Sequence, residues 1–113
     1  MRFLRWTKGR QETGYEKMLL AIANWPKPFD VYLLRFHPGH EIPPHTDKVK
    51  EGEHYRINII LKNAKKGGQF ICKEPLYESK WIKYFRPDIS EHQVTKIIEG
   101  KRYVFSLGWV QNS

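Results

Sequence analysis

The stretch Ile42-Pro43-Pro44-His45-Thr46-Asp47 is the part of the chain from which the rest can be interpreted. It places an imidazole and a carboxylate one residue apart, so both can reach one metal ion from the same side. Such groups are ligands of first-row transition metals, and the two prolines stiffen the approach to them. A lone His-x-Asp triplet is nevertheless more often a pair of solvated loop residues. A metal site therefore requires a further ligand from elsewhere in the chain.

The best candidate for that ligand is His92, which lies 47 residues downstream of His45. It stands just ahead of an apolar run from Val94 to Ile98, which predicts a strand. Two histidines and one carboxylate on one face, with other positions open, form the facial triad of non-haem Fe(II) sites. The sequence therefore predicts a metal site composed of His45, Asp47 and His92.

The size and composition of the chain indicate one packed domain. It has 113 residues, is 40% hydrophobic and contains four Trp, six Tyr and six Phe, which excludes a disordered chain. The residues Met1-Arg2-Phe3-Leu4-Arg5 lack the apolar region of a signal peptide, and no stretch is long enough to span a bilayer. We therefore expect a cytoplasmic protein of one domain over residues 1–113. The single Cys72 agrees with a reducing compartment and is interpreted as a small buried residue.

The charge of the chain points to an anionic partner without identifying it. There are 20 Lys and Arg against 12 Asp and Glu, a formal net charge of +8. Nucleic acid, an acidic peptide and a small acid all remain open as partners. The basic residues are scattered along the chain, which is typical of solvated surface.

The segment before residue 25 predicts a helix. Thr13 and Glu16 have the spacing of a capping box. Four apolar side chains then fall on one helical face: Tyr15, Met18, Leu19 and Ile22. The helix is predicted from about Gly14 to Asn24, packed outside a sheet and ending where Trp25 precedes a proline. The first ten residues are compatible with two structures, an edge strand or a clamp over the core.

From Asp30 onward the hydrophobic pattern has a period of two. Short strands separated by turn residues are typical of a sandwich or a jelly roll. The predicted strands are Asp30–His37, Tyr55–Lys62, Gln69–Lys73, Trp81–Phe85, Gln93–Ile98 and Arg102–Val110.

The last predicted strand has two different faces. One carries Tyr103, Phe105, Leu107 and Trp109, and the other carries Arg102, Val104, Ser106 and Gly108. An arginine followed on the same face by progressively smaller residues indicates the wall of a cavity that contains one cation. Such a guanidinium can hold a carboxylate by two parallel hydrogen bonds. The alternative is an arginine at a strand end whose head reaches solvent.

Six short motifs together resemble a known superfamily. They are Phe36-His37-Pro38-Gly39, Pro44-His45-Thr46-Asp47, Arg56-Ile57-Asn58-Ile59-Ile60-Leu61, Gly67-Gly68-Gln69-Phe70, His92-Gln93-Val94 and Gly100-Lys101-Arg102. Their order is similar to that in the Fe(II)- and 2-oxoglutarate-dependent oxygenases, in particular the prolyl-hydroxylase-like branch. The resemblance covers about Asp30 to Val110.

The resemblance implies a mostly β fold, a double-stranded β-helix of the jelly-roll or cupin-like kind, with its core over about residues 30–110. It implies that His45, Asp47 and His92 bind Fe(II) and that Arg102 holds the distal carboxylate of 2-oxoglutarate. It also implies a hydroxylase that consumes O₂ and releases succinate and CO₂, and it allows ascorbate as an additional reductant.

Three further residues are weaker candidates for cosubstrate contacts. His37 lies roughly where relatives often place a Tyr that hydrogen-bonds 2-oxoglutarate, so the chain departs from the pattern there. Asn58 and Ser106 are small polar residues on strands that should line the barrel. Each is equally well explained as a hydrogen-bonded polar residue near the core. His40 and His54 are interpreted as loop and strand-edge residues.

The substrate remains open at this stage. A peptide or protein side chain is favoured by the resemblance, lying across the open end between residues 48–53, a predicted lid, and residues 74–79, the opposite rim. Oxidation of nucleic acid is the first alternative, because of the basic charge and the aromatic residues interleaved with arginines near the N-terminus. A cupin-like metal-binding protein without turnover is the second. No membrane partner is expected, and the oligomeric state stays undetermined.

Overall fold

The computed structural model describes residues 6–8, 15–24, 27–49 and 51–111, and all its regular elements are strands. In chain order they are β1 Trp6–Lys8, β2 Glu16–Ala23, β3 Phe29–Phe36, β4 Ile42–His45, β5 Glu53–Lys62, β6 Lys66–Gly67, β7 Phe70–Cys72, β8 Tyr77–Glu78, β9 Ile82–Phe85, β10 His92–Val94, β11 Ile97–Glu99 and β12 Arg102–Gln111.

The strands form one large sheet and two small ones. The large sheet has the order β1-β2-β3-β12-β5-β9-β8, while β4-β10-β7 and β11-β6 form the small sheets. All the pairings are antiparallel. The long central strand β12 has β3 on one side and β5 on the other, so its inward face is the floor on which a site can be built.

The predicted N-terminal helix is wrong, because its segment forms strand β2. This strand pairs with β3 along its length and with β1 near its start, and its register shifts between Leu19 and Ala21. The shift inserts one residue, so Tyr15, Leu19 and Ile22 all point toward the same side of the sheet. The bulge therefore reproduces helical spacing within a strand. Thr13 and Gly14 lie outside the described residues.

The strands predicted after residue 30 are present, with one division. The run Gln93–Ile98 separates into β10 and β11. Thr95 is responsible, because its backbone N–H donates to the carbonyl of Gln69 and its hydroxyl accepts from the N–H of Gln69. Among the first ten residues, for which the sequence allowed an edge strand or a clamp, the structure has the edge strand β1.

The core lies between the large sheet and the small ones. Its fully buried members are Phe36, Ile60, Val94, Ile97 and Val104. Burial of each such side chain contributes about 1.5–3 kcal/mol. Two of these core residues, Phe36 and Val94, also line a cavity, so the core and the cavity are adjacent.

Gly67→Ala is expected to destabilise the protein more than Gly39→Ala. Both glycines have positive φ, +75° and +91° respectively, so both variants incur the left-handed backbone cost of about 1–2 kcal/mol. At Gly67 a Cβ would also collide with the carbonyl oxygen of Lys96, whereas nothing lies within 4 Å at Gly39. We expect an additional loss of about 1–3 kcal/mol for Gly67→Ala. Urea unfolding measures both, and equal losses would contradict this account of β6.

Candidate metal centre and its cavity

His45 and His92 are brought together by strand pairing. His45 ends β4 and His92 begins β10, and the two are direct cross-strand partners. Their ring centroids lie 4.4 Å apart. Because side chains that face each other across an antiparallel pair lie on the same side of the sheet, both imidazoles point into the cavity.

Asp47 completes the group. Its two carboxylate oxygens each lie 3.5 Å from one imidazole Nε2, Oδ1 from that of His45 and Oδ2 from that of His92. One ligand atom from each of the three residues falls within 4.8 Å of the others. Ligands at adjacent positions of a metal with bonds of about 2.1 Å lie roughly 3–3.5 Å apart. The predicted group is therefore assembled at nearly the spacing that one cation requires.

The other ring nitrogens determine which tautomer is present. His45 Nδ1 lies 2.7 Å from the carbonyl of Pro43, and His92 Nδ1 lies 2.9 Å from the carbonyl of Ser90. A carbonyl oxygen can only accept, so each Nδ1 carries the proton and donates it. Each Nε2 then presents a lone pair toward Asp47, which is how metal-binding histidines are oriented in proteins. The two Nε2 lone pairs and the carboxylate of Asp47 therefore face one another, and this arrangement favours a cation in the space between them.

Neighbouring aromatic rings keep His92 in place. Its ring centroid lies 4.9 Å from that of Phe85 and 6.3 Å from that of Phe70. Its side chain is buried, whereas those of His45 and Asp47 are partly open to solvent. The site thus has one rigid inner wall and one accessible side.

The loop between β9 and β10 positions Asp47. The backbone N–H of Asp47 donates to the carbonyl of Pro87 at 2.6 Å. The next residue, Asp88, is buried and accepts from Arg86 Nη2 at 2.7 Å, and Arg86 Nη1 also donates to Glu53 at 3.0 Å. Burial by itself raises the pKa of Asp88, but hydrogen bonds from Arg86 and from the backbone of His54 outweigh it and lower the pKa.

Asp88→Asn is expected to destabilise the protein by about 1–3 kcal/mol near neutral pH, because an amide cannot replace the charged acceptor of Arg86. The folded-state pKa lies below the unfolded value of about 3.9. The stabilisation is therefore complete above that value and is lost as the pH falls through the folded pKa. Denaturant unfolding from pH 7 to pH 2 measures it, with Glu91→Gln, a half-buried acid of the same loop, as control. A stability difference that does not shrink in acid would contradict this role.

Arg102 is the most unusual residue of the cavity. It is 2% exposed, and its guanidinium lies 4.9 Å from the centroid of Phe36. Its Nε has no hydrogen-bond partner, and among the described residues no carboxylate forms an ion pair with it. Burial lowers its pKa to about 10. An uncompensated buried cation is costly, so this position favours an anionic ligand.

The inward face of β12 carries the residues that the alternation of side chains predicted. Arg102, Val104, Ser106 and Gly108 are all buried, while the residues between them are only partly so. Ser106 Oγ donates to Asn58 Oδ1 at 2.6 Å, and both residues line the cavity. Their contact with a cosubstrate stays a prediction.

His37 is not brought into the cavity wall. Its Nε2 lies 2.7 Å from Glu16 Oε1, and its backbone N–H donates to His40 Nδ1 at 3.0 Å. The side chain of Glu16 also accepts from Arg35 at 2.9 Å. His37 and His40 thus belong to a polar group beside the cavity. The predicted cosubstrate contact of His37 finds no support in this position.

Sequence reasoning missed several residues of the cavity. The polar ones include Lys17, Asp30, Tyr32, His54, Arg56 and Gln93. His54 was interpreted as a strand-edge residue, yet its Nδ1 is buried without a partner. The signal was available on β5, since His54 and Arg56 alternate with the same period as Asn58. The predicted lid at 48–53 and rim at 74–79 contribute no cavity wall among the described residues, and their role stays a prediction.

Comparison with known proteins shows the fold and leaves the family open. No protein-family model and no curated protein matches the sequence. Among solved structures, a prolyl-4-hydroxylase from Pseudomonas putida has a TM-score of 0.71 at 12% identity, over 96% of this chain and 78% of that one. KdgF from a Halomonas species has a TM-score of 0.63 at 15% identity, over 100% and 96%. A cupin-superfamily sugar phosphate isomerase from Silicibacter pomeroyi has a TM-score of 0.56 at 16% identity, over 97% and 70%.

These likenesses identify an all-β, cupin-like fold. The predicted mostly β, cupin-like class is confirmed, its helix is wrong, and the double-stranded β-helix stays a prediction. Within that fold the chain carries a His-Asp-His group capable of holding a metal. Among the described residues, no helix has the length and apolar character that a membrane crossing requires.

Proposed function

We propose that this protein is an Fe(II)- and 2-oxoglutarate-dependent dioxygenase that hydroxylates a peptide or protein side chain. The observation that carries the proposal is the buried guanidinium of Arg102, which forms no ion pair with any described carboxylate and lies in the same cavity as His45, Asp47 and His92. A metal-binding protein without turnover has no use for a buried cation at this place. A dicarboxylic acid that binds the metal at one end and an arginine at the other explains both features.

The residues fit the implied groups. His45, Asp47 and His92 would hold the metal through nitrogen and carboxylate oxygen, which suits Fe(II). Arg102 would hold the distal carboxylate of 2-oxoglutarate through charge-assisted hydrogen bonds. When bound, iron and 2-oxoglutarate supply the oxidation, in which one atom of O₂ enters the product alcohol and the other enters succinate, with release of CO₂.

The protein contributes orientation and exclusion of water. Hydrogen bonds to Pro43 and Ser90 hold both imidazoles in the tautomer whose Nε2 lone pair is available to the metal. Phe36, Phe70 and Phe85 line the cavity and keep its inner part apolar. A low-dielectric wall strengthens the attraction between Arg102 and a carboxylate.

The volume of the cavity, about 210 Å³, bears on the substrate. Pockets that enclose a drug-sized ligand measure about 300–1,000 Å³. Once a cosubstrate is bound, the space that remains suits one side chain and not a whole small molecule. This favours a peptide or protein whose bulk stays outside.

Oxidation of nucleic acid is the second candidate, and its support is the net charge of +8. The suggested stacking surface near the N-terminus is reduced, because the guanidinium of Arg35 lies 3.9 Å from the ring centroid of Trp6. That ring face is already occupied. Salt-dependent binding of single-stranded oligonucleotides would favour this candidate over peptides.

Anaerobic reconstitution tests the proposal. Fe(II) and then 2-oxoglutarate are titrated into the protein by calorimetry, O₂ is admitted, and succinate is measured with and without a peptide library. Glutarate is the control ligand, because it keeps both carboxylates and lacks the keto group. Succinate formation supports the proposal. Binding of glutarate as tight as that of 2-oxoglutarate, or no succinate from the loaded protein, would overturn it.

A further inference from the structure

A second arginine, Arg56, lines the same cavity, and unlike Arg102 it is paired with a carboxylate. Arg56 Nη2 donates to Asp30 Oδ1 at 2.6 Å, and Arg56 Nη1 donates to Ser106 Oγ at 2.6 Å. Ser106 in turn donates to Asn58. Unlike Arg102, Arg56 is therefore neutralised by a carboxylate, and its orientation is set by a chain of hydrogen bonds.

Gly108 provides the space in which Arg56 lies. A Cβ at Gly108 would collide with Nη2 and Cζ of Arg56, and Nε would also lie only 2.9 Å away. The backbone of Gly108 is not in the left-handed region, so a glycine is needed there for room and not for conformation. The guanidinium thus lies against the backbone of β12, and Arg56 lines the cavity.

The backbone positions of Arg56 and Arg102 lie at different levels of the large sheet, because Arg56 is the cross-strand partner of Gly108. A strand rises about 3.4 Å per residue, which places Gly108 roughly 20 Å along β12 from Arg102. Arg56 is also the cross-strand partner of Phe85, whose ring packs against His92. The Asp30–Arg56 pair therefore lies near the level of the candidate metal ligands and away from Arg102.

The pair has the chemistry of a receptor for a neutral dipolar group. Arg56 uses two of its five N–H donors in the contacts described above, and Asp30 accepts there through Oδ1. A donor and an acceptor lie side by side and have no net charge between them. The carboxylate of Asp30 would repel an anionic ligand. A carboxamide instead offers its C=O to the N–H donors of Arg56 and its N–H to the carboxylate of Asp30.

We propose that Asp30 and Arg56, seated on Gly108, form a substrate subsite that binds a carboxamide, a peptide bond or a side-chain amide, beside the carbon that is oxidised. The inference rests on the proposed function and adds to it the residues that select the substrate. Arg102 binds the acid and Arg56 binds the amide, because among the described carboxylates Asp30 pairs with Arg56 and none pairs with Arg102.

The test uses two small probes, N-methylpropionamide, which carries one carboxamide, and propionate, which carries a carboxylate and no amide, on protein loaded with Mn(II) and 2-oxoglutarate. Broadening of the probe proton signals by the bound Mn(II) reports binding near the metal. In the wild type the amide is expected to bind more tightly than the acid. Asp30→Asn leaves Arg56 without a counterion, so it should reverse this preference by about tenfold or more. Glu99→Gln, which alters an exposed acid that pairs with Lys65, is the matched control. It should change the binding of neither the amide probe nor the acid probe.

Gly108→Ala is the second variant, since it displaces Arg56 without removing a charge. It should abolish amide binding and leave 2-oxoglutarate affinity within about threefold of the wild type. An unchanged preference in Asp30→Asn, amide binding that survives Gly108→Ala, or tighter binding of the acid by the wild type would each overturn the proposal. Failure of the wild type to bind 2-oxoglutarate would instead count against the proposed function, so the two failures are distinguishable.

Discussion

His92→Ala is expected to lower the affinity for a divalent metal by at least about 100-fold, because it removes one of three ligands. Loss even of a group that only orients a ligand typically costs about 10–100-fold. His92 is buried between Phe70 and Phe85 and cannot be replaced by a solvated neighbour. Calorimetric titration with Mn(II), which avoids oxidation of the metal, measures the change.

His40→Ala is the control for that titration, because His40 lies outside the cavity wall and its Nδ1 accepts from the backbone of His37. It should bind Mn(II) as the wild type does. An unchanged stoichiometry and affinity in His92→Ala would remove His92 from the site. An equal loss in both variants would show that the effect arises from the fold and not from a ligand.

Arg102→Ala is expected to bind 2-oxoglutarate at least about 100-fold more weakly while the metal still binds. Charge-assisted bonds to a buried partner are worth about 2–5 kcal/mol when one side is truncated. Arg102→Lys should recover part of the affinity, because it keeps the charge and loses the two parallel hydrogen bonds. Lys101→Ala, an exposed neighbour, is the control. Calorimetry with Mn(II)-loaded protein measures each variant.

Arg102→Met separates function from stability. Arg102 is a buried cation that has no counterion in the part of the chain that the structure describes, so an apolar side chain of similar length should raise the free energy of unfolding by about 1–4 kcal/mol. The same variant should fail to bind 2-oxoglutarate. A variant that is less stable than the wild type would show that Arg102 supports the fold. Wild-type affinity for 2-oxoglutarate in Arg102→Ala would place the anchor elsewhere.

The failed helix prediction shows the limit of local pattern. Tyr15, Leu19 and Ile22 have helical spacing, and Glu16 has the place of a cap residue. A bulge between Leu19 and Ala21 produces the same spacing in a strand, and pairing with β1 and β3 satisfies the backbone. Since the bulge depends on the neighbouring strand, no local signal distinguished the two states.

The alternation along β12 was determined by the sequence alone. Side chains alternate across a strand with a period of two, so Arg102, Ser106 and Gly108 had to share a face. The same rule on β5 would have placed Arg56 beside Asn58. The His45-Thr46-Asp47 spacing likewise defined two candidate ligands without any knowledge of the fold.

Only the tertiary structure decided which partners these residues meet. His92 stands opposite His45 because β10 pairs with β4, and the sequence does not encode that register locally. Arg56 and Arg102 are the same residue type on neighbouring strands, yet Asp30 neutralises one and no carboxylate pairs with the other among the described residues. Charge state, burial and ligand preference depend on distances between strands far apart in the chain, and those distances exist only once the sheets have packed.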